Sequence, residues 1–518
     1  MEEVKVRELP DKPVINTTDY VVVEDEDGTK IVQVKHFRSL VLNTLYFDSV
    51  EELKTSTDIA LKEGDVCQTL GYYTPGDGGG ARYVITYKPG AVEDGKLVHY
   101  LSYSDTLRAE IILDDKINVA QFGAKGDGKT DDTLAIQAAI DNSEGKVVEF
   151  IKDKQYVIRD SIKISKSFTM INGNSATIYP HYCDGLDIYY EHRVTSVTIK
   201  DLDFLCNLTN SAIKMSNAED ISIVNCNITG VSNTGIYLKN CLYVNIDRCE
   251  LNGVNNSSLI TLDGEATDEG FLSARAINVT KCKFNNFHKA INVIGTGVVN
   301  NDVNTLINLD SCYYFSTINN CYAIYLASPI EMMRITNNSV FTVDTFLYFG
   351  GASSGEISCS DLNCVSVNKV FDIGTSDGTL HLNGALNMNN VTTVFVNMSG
   401  KLHSNIMWNI NNFSTVPTGE LFDTVAPYQY NESGYSIANS TLTLREVRNL
   451  HVDWNSSTNN LNTINNGIKG QLLYIKSSTN KSILAVSNKI ILSDSSIQLN
   501  PYKGILLKYD GLKWVQIQ

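Results

Sequence analysis

Three stretches in the middle of the chain decide the fold: residues 244–249 read VNIDRC, residues 277–282 read INVTKC and residues 307–312 read INLDSC. Related hexapeptides precede and follow them. All eight align on one position, occupied by Ile199, Ile223, Ile246, Val279, Leu309, Ile335, Ile357 and Leu382, with spacings of 24, 23, 33, 30, 26, 22 and 25 residues. A period of this length, with β-branched residues and no helical pattern, is typical of one coil of a parallel β-helix.

The alternation of side chains within each repeat predicts which face is buried. Val244 and Ile246 are expected to point inward and Asn245 and Asp247 outward, because successive side chains of a strand face opposite ways. A column of cysteines then follows the strand in successive coils, at Cys226, Cys249, Cys282 and Cys312. We interpret it as an interior stack of thiols; disulfides or a metal site are the alternative.

The segment before the repeat, GAKGDGKTDDTLAIQAAID at residues 123–141, combines a glycine-rich turn with a short helix. Thr130 or Asp131 can cap that helix. Its predicted apolar face consists of Leu134, Ile136, Ala139 and Ile140.

This segment closely resembles the start of the pectate-lyase-like right-handed β-helix found in bacteriophage tailspike and neck-appendage proteins. The resemblance implies an all-β fold, a right-handed parallel β-helix whose coil stack is capped by the short α-helix. It also assigns Asp127, Asp131 and Asp132 to the cap, as structural residues.

Working outward, four parts can be distinguished. Residues 1–44 resemble the leader by which phage tail proteins attach to the virion, and Asp27-Gly28 predicts a hairpin turn there. Residues 45–116 are predicted to form a β-rich adaptor domain and residues 117–435 the β-helix shaft. Residues 436–518 resemble a β-rich trimerisation tip, and the apolar stretch ILLKYDGLKWVQI at 505–517 predicts sheet surface that a homotrimer would cover.

Composition excludes several functions. A formal net charge of -16 over 518 residues disfavours nucleic acid as a partner. No apolar run is long enough to insert into a membrane, and the charged start is unlike a signal peptide, so we expect synthesis in the host cytoplasm and location in the virion. Motifs for zinc, dinucleotides, the P-loop or a serine nucleophile are absent, so no metal and no cofactor is expected.

A first candidate site lies on the outward face of the repeat strands. Asp247 and Asp310 occupy the same position two coils apart, with Thr280 between them. At about 4.8 Å per coil their backbones are roughly 9–10 Å apart, near the upper limit of carboxyl separation in inverting glycosidases. Polar side chains suited to sugar hydroxyls lie in the neighbouring row, at Asn245, Asn278 and Asn308. An ordinary solvated β-face is the alternative.

A second candidate site is expected in the two longest coils, where extra loops are predicted after Gly253 and after Lys289. The first carries Asp263 and the candidate catalytic carboxylates Glu265, Asp268 and Glu269, with Arg275 just beyond as a substrate-binding candidate. Such a cluster can supply a general acid, bind a cation or only solvate the loop.

Aromatic residues give a third indication. Tyr313 and Tyr314 can stack on sugar rings, and Phe315, Tyr322 and Tyr325 follow closely. Core packing or a seam between subunits is the alternative.

The sequence therefore predicts a bacteriophage tailspike or appendage that attaches to the virion and binds a host cell-surface polysaccharide. Degradation of that polysaccharide, by hydrolysis or elimination, is the favoured activity. A non-enzymatic adhesin spike is the alternative, and a secreted polysaccharide lyase is the third hypothesis.

Overall fold

The computed structural model is nearly all β and forms a right-handed parallel β-helix of about 13 turns, which confirms the predicted fold class. It describes residues 44–415 apart from gaps at 58–59, 91–95, 190–192, 207–210, 255, 265–274, 296–303, 351–354, 375–377 and 397–400, and isolated strands outside that range. Two compact units result, one of residues 1–190 with 194–205 and one of residues 191–193 with 206–518. The domain boundaries drawn from the sequence stay a prediction.

The N-terminal strands of the first unit form the predicted antiparallel hairpin. They are β1 Lys5–Val6, β2 Tyr20–Asp25 and β3 Gly28–Gln33. Asp25 pairs with Gly28, so Gly28 of the predicted Asp27-Gly28 turn belongs to β3, whereas Asp27 lies outside the described residues.

The segment predicted to be an adaptor contains a five-stranded sheet with one helix, α1 Val50–Thr55, which Ser49 caps by accepting a hydrogen bond from the Glu52 amide at 3.1 Å. Its strands are β4 Leu45–Phe47, β5 Val66–Thr69, β6 Arg82–Tyr87, β7 Val98–Leu101 and β8 Ser104–Ile112. Buried Phe47, Leu53, Tyr83 and Ile85 belong to its core.

The first coils follow in the same unit. Their strands are β9 Lys116–Asn118, β10 Asp127–Asp131, β11 Val147–Glu149, β12 Gln155–Ile158, β13 Ile162–Ile164, β14 Met170–Pro180, β15 Leu186–Ile188 and β16 Val194–Leu205. A 3-10 turn spans Val119–Phe122, and the predicted cap helix is α2 Thr133–Asp141.

Two details of α2 differ from the prediction. Its N-cap residue is Asp132, whose carboxylate binds the amides of Lys125 and Gly126 instead of capping the helix. The carboxylate of Asp131, one of the two predicted caps, accepts a hydrogen bond from the first helical amide, that of Thr133, at 3.1 Å. Leu134 is exposed, whereas Ile136, Ala139 and Ile140 are buried as expected. The glycine-rich turn explains why Asp132 does not cap the helix, because the turn amides occupy its carboxylate.

The second unit stacks its coils as three parallel sheets. The first sheet has β18 Ala218–Val224, β21 Leu242–Asp247, β24 Arg275–Thr280, β27 Asn304–Asp310, β30 Ile330–Thr336, β33 Gly355–Val365 and β35 Gly378–Val396. The second has β19 Asn227–Val231, β22 Glu250–Gly253, β25 Lys283–Asn285, β28 Tyr313–Phe315 and β31 Ser339–Phe341, and the long strands β33 and β35 continue into it. The third has β17 Ser211–Ser216, β20 Thr234–Lys239, β23 Ser258–Gly264, β26 Lys289–Gly295, β29 Tyr322–Leu326, β32 Thr345–Phe349 and β34 Lys369–Ile373.

The register of the first sheet agrees with the alignment of the repeats for most coils. Ile223 pairs with Ile246, which pairs with Val279, and the ladder continues through Leu309 to Ile335. The next rung is Cys359, not the predicted Ile357, and Cys359 pairs with Leu382. Both Ile357 and Cys359 are buried, so alternation alone places either one inside.

The cysteine column lies inside the coil stack. Cys226, Cys249, Cys282 and Cys312 are buried free thiols, and the thiols of Cys282 and Cys312 contact carbonyl oxygens of the preceding coil at 3.5 and 3.4 Å. Asn338 occupies the next rung. The side-chain amide of Asn338 donates to the carbonyl of Leu309 at 2.9 Å. The buried column therefore continues one coil beyond Cys312, the last residue of the predicted column.

The remaining strands continue toward the C-terminus. They are β36 Lys401–Thr415, β37 Gln429–Tyr430, β38 Tyr435–Ala438, β39 Thr441–Leu444, β40 Asn449–Asp453, β41 Asn460–Leu461, β42 Thr463–Asn465, β43 Leu472–Lys476, β44 Lys481–Leu484, β45 Ile490–Ile491, β46 Ser496–Leu499, β47 Ile505–Tyr509 and β48 Trp514–Gln516. Parallel pairing runs through β36, β37, β40 and β43, and antiparallel pairs β43–β47 and β47–β48 follow.

Candidate functional site

The first candidate pair lies where the sequence places it. Asp247 pairs with Thr280, and Thr280 pairs with Asp310, on the outward face of the first sheet. Thr280 donates to the Asp247 carboxylate at 2.7 Å, and Arg248 forms an ion pair with the same carboxylate at 2.5 Å. These contacts hold Asp247 in place but also occupy both of its oxygens.

Asp310 is held in a similar way by its neighbours. It accepts from Ser311 at 3.1 Å and from Asn337 at 3.3 Å. The row Asn245, Asn278 and Asn308 lies beside the carboxylates in the predicted register and continues to Arg334. The chemical role of this face stays a prediction.

The extra loops leave the coils at places other than those predicted. Residues 258–264 and 289–295 are strands of the third sheet, and Gly264 pairs with Gly295. Most of the added residues therefore follow Gly264 and Gly295, although two follow Gly253 as predicted; none directly follows Lys289. Asp263 belongs to β23, where it accepts a hydrogen bond from Tyr237.

Glu265, Asp268 and Glu269 lie outside the described residues. Arg275 is described and is the exposed first residue of β24, paired with Leu242. Its guanidinium is therefore accessible on the first sheet.

The two predicted sugar-binding tyrosines point in opposite directions. Tyr314 is fully buried and stacks on Phe284 at 5.0 Å, so its prediction as a substrate-binding residue is wrong and it belongs to the core. Tyr313 faces outward, is 37% exposed and stacks on Phe341 at 5.1 Å. The difference follows from the two-residue period of β28.

The outward face of the third sheet carries a row of residues that the sequence analysis missed. This outer row pairs rung by rung and consists of Lys214, Tyr237, Thr261, Asn292, Tyr325, Tyr348 and Asp372. At about 4.8 Å per coil it extends over roughly 29 Å. The signal was present in the sequence, since each residue stands between two apolar residues in segments such as AIYL and FLYF.

Tyrosines dominate one part of the outer row. The rings of Tyr325 and Tyr348 stack at 4.8 Å with an angle of 13° between them, and the Lys289 ammonium lies 3.7 Å from the Tyr325 ring centre. Tyr322 packs edge-on against both tyrosines, at 5.1 and 5.7 Å. We call Tyr322, Tyr325 and Tyr348 the tyrosine cluster.

Burial and neighbouring groups raise the pKa of Tyr322 and of Tyr348. Burial, followed by the nearby Tyr325 and Asp344, raises the pKa of Tyr322, and burial with Tyr325 and Asp372 raises the pKa of Tyr348. Both hydroxyls are therefore protonated donors at neutral pH. They form no hydrogen bond with the described residues and are available to a ligand.

Basic and acidic groups flank the tyrosine cluster. His288 lies 6.0 Å from Tyr322 between ring centres, and burial with the adjacent Lys289 lowers the pKa of His288. Asp372 follows Tyr348 in the outer row, is only 6% exposed and has Lys369 at 3.9 Å. The site thus combines hydroxyls, a neutral imidazole and a buried carboxylate.

No group of three or more His, Cys, Asp or Glu side chains among the described residues is placed to hold a metal ion. In the described part of the chain, no helix is both long and apolar enough to cross a membrane.

Comparison with known proteins agrees with the coil stack. Residues 116–323 match the model of the family described as rhamnogalacturonase A/epimerase, pectate lyase-like. A stretch of 57 residues is 43% identical to a protein named "Probable glucan endo-1,3-beta-glucosidase" from Arthroderma benhamiae. That stretch is 11% of this chain, and the match spans 6% of the length of that relative.

Two solved structures are similar in fold at low identity. WceF of Pantoea stewartii, described as a glycan biofilm modifying enzyme, is 13% identical, with 74% of this chain and 52% of that chain covered and a TM-score of 0.37. The tailspike protein gp49 of Acinetobacter baumannii bacteriophage Fri1, described as a capsular polysaccharide depolymerase, is 12% identical, with 91% and 95% covered and a TM-score of 0.42.

Proposed function

We propose that this protein is a bacteriophage spike that binds a host cell-surface polysaccharide along the outer row of its third sheet and cleaves it. The outer row is the main support, because tyrosine hydroxyls, an amide and a carboxylate follow one another at coil spacing along a face long enough for several sugar rings. The match to a glucanase over 57 residues supports a carbohydrate ligand. Attachment to the virion through residues 1–44 and assembly as a homotrimer belong to the same proposal.

Hydrolysis of a glycosidic bond typically uses two carboxyl groups beside that bond. We place Glu265, Asp268 and Glu269 first, because the segment that carries them follows Gly264, in the strand that bears Thr261 of the outer row. Asp247 with Asp310 is the second candidate, on a different sheet. Glu265→Gln or Asp310→Asn should lower turnover by about 10²-fold, depending on which pair acts.

Polysaccharide degradation is tested with the purified full chain and a panel of bacterial surface glycans. New reducing ends without an unsaturated product indicate a hydrolase, and ultraviolet absorbance of an unsaturated product indicates a lyase. Binding without either product favours the adhesin, the second candidate function. If the protein neither binds nor cleaves any glycan of the panel, the proposal is contradicted.

The location of the site is tested with Tyr348→Ala. Loss of the ring should weaken glycan binding by about tenfold, as for a buried aromatic anchor. Tyr182→Ala is the matched control, because Tyr182 is 70% exposed and lies in the other unit. Equal effects of the two variants would show that the outer row is not the binding face.

A further inference from the structure

Two polar members of the outer row each bury one oxygen atom that has no hydrogen-bond partner among the described residues. Thr261 is 3% exposed and Asn292 is 6% exposed, although both face outward from the sheet. No described residue bonds the Thr261 hydroxyl or the Asn292 carbonyl oxygen. A buried polar atom left without a partner destabilises the protein, so these two atoms mark a place that a ligand can complete.

A lysine adjoins the same two rungs. Lys289 lies on β26 with Asn292, three residues earlier, and pairs with Ser258 of β23. Its ammonium contacts the face of Tyr325 and forms no ion pair within the described part of the chain. Burial lowers the pKa of Lys289, because the surrounding protein replaces part of the water around its ammonium.

Ser258 is a further polar residue beside Asn292. The Asn292 amide nitrogen lies 3.5 Å from the Ser258 hydroxyl, so the amide donor is directed toward Ser258 and its carbonyl oxygen stays unused. One ammonium, two hydroxyls and one amide therefore belong to two neighbouring, directly paired strands. A carboxylate accepts hydrogen bonds from an ammonium, whereas sugar hydroxyls donate to an amide oxygen or a threonine hydroxyl.

We propose that Lys289, Asn292, Thr261 and Ser258 form a subsite for an acidic sugar, that is, a ring that carries a carboxylate and free hydroxyls. This inference rests on the proposed function and adds the class of sugar recognised. The net charge of -16 gives the chain no general attraction for anions, so a local cation has to supply it. A compact ammonium without a guanidinium fork suits one carboxylate oxygen.

The test uses the full chain with three acidic probes and two neutral ones. The acidic probes are oligogalacturonate, hyaluronan oligosaccharides and oligosialic acid, each also prepared with its carboxyls reduced to primary alcohols. The neutral probes are laminarin and dextran oligosaccharides. Calorimetry or a glycan array should detect an acidic glycan whose affinity falls at least about tenfold on carboxyl reduction and falls with added salt.

Lys289→Met separates the charge from the packing. The variant keeps most of the stem and should lose about tenfold in affinity for the acidic glycan but bind the reduced glycan as the wild type does. Lys289→Arg should restore most of the loss. Lys283→Met is the matched control, an exposed lysine of the second sheet paired with Glu250, and should bind like the wild type.

Each outcome decides the inference. Equal loss for the acidic and reduced glycans would mean that Lys289 only positions Tyr325, and would overturn the acidic subsite. Binding of neutral glycans alone would overturn it too but leave the proposed function standing. Binding of no glycan would overturn both. If Lys289→Met fails to fold, the effect of carboxyl reduction on the wild type still decides.

Discussion

Lys281 lies at a backbone position that the coil forces into the left-handed region. It follows the first-sheet strand of its coil, with φ of 54°, and the equivalent residues Asn225, Arg248, Ser311, Asn337 and Asp361 have φ between 52° and 57°. Left-handed backbone costs an ordinary side chain about 1–2 kcal/mol, and Asn tolerates it best. This left-handed position could not be predicted from the sequence, because Arg248, Lys281 and Ser311 are not residue types that favour left-handed backbone.

Replacing Lys281 should therefore stabilise the protein. Lys281→Asn is expected to raise the free energy of unfolding by about 1 kcal/mol, because asparagine relieves the left-handed strain. Urea titration or thermal melting measures it. Lys283→Asn, the same change at an exposed strand position two residues later, should give no gain; an equal gain at both sites would rule out a conformational origin.

Asp127 gives a pH-dependent effect in the glycine-rich turn. The backbone N–H of Thr130, then the Thr130 hydroxyl and the Lys129 N–H, lower the pKa of Asp127 to about 2. Its contribution to stability is therefore complete above the ordinary pKa of the group and is lost as pH falls toward about 2. The hydrogen bonds to the ionised Asp127 carboxylate stabilise the turn before α2.

Asp127→Asn should accordingly lower the melting temperature at neutral pH. The difference from the wild type should shrink between about pH 4 and about pH 2, as the wild-type carboxylate becomes protonated. Melting followed by circular dichroism over this range measures it. Glu144→Gln, an exposed change nearby, should show no such convergence; a difference that stays constant with pH would mean that the charge of Asp127 is unimportant.

At the scale of the strand, the sequence predicts one sheet and misses another for a physical reason. The first sheet is visible because its inward residues are β-branched and end in a cysteine, which fixes the register at Ile246 and Cys249. In the coil of Ile357, two inward positions, 357 and 359, are equally apolar. The sequence alignment therefore chose Ile357, two residues before Cys359, which is the residue that pairs with Ile335. In the third sheet, the outer row consists of Lys, Tyr, Thr, Asn and Asp residues. Because these side chains share no single type, residue type alone does not show that they occupy equivalent positions in successive coils.

The thiol stack makes a prediction at the same scale. Ten of the 11 cysteines are buried and Cys183 is half-buried, and burial raises the pKa of Cys312 and of Cys241 to about 12. Because the thiolate is the reactive form, Ellman's reagent at neutral pH should modify Cys183 alone in the native protein and all 11 thiols in guanidinium chloride. Fast reaction of several native thiols would mean that the coil stack opens readily.

At the scale of the whole molecule, the C-terminal strands differ from the expectation of an apolar surface left for other copies. Leu473, Ile475, Ile505, Leu507 and Trp514 are buried within the single chain, because β43, β47 and β48 pair with one another. Leu512 is 83% exposed. The apolar character of this stretch was predicted correctly, but its burial depends on strand pairing that the sequence does not specify.

The homotrimer stays a prediction, and the exposed aromatic face of the second sheet is a surface that can support it. Tyr313 and Phe341 stack there in contact with solvent, and contiguous apolar surface of this kind is typical of protein interfaces. Light scattering should give three times the chain mass of 57.2 kDa at micromolar concentration. Phe341→Asp should reduce that mass to one chain, because three buried carboxylates would remain unpaired, whereas Tyr182→Asp should not. If Phe341→Asp stays trimeric but a chain ending near residue 440 is monomeric, the C-terminal strands hold the copies together; a wild type with the mass of one chain contradicts the trimer.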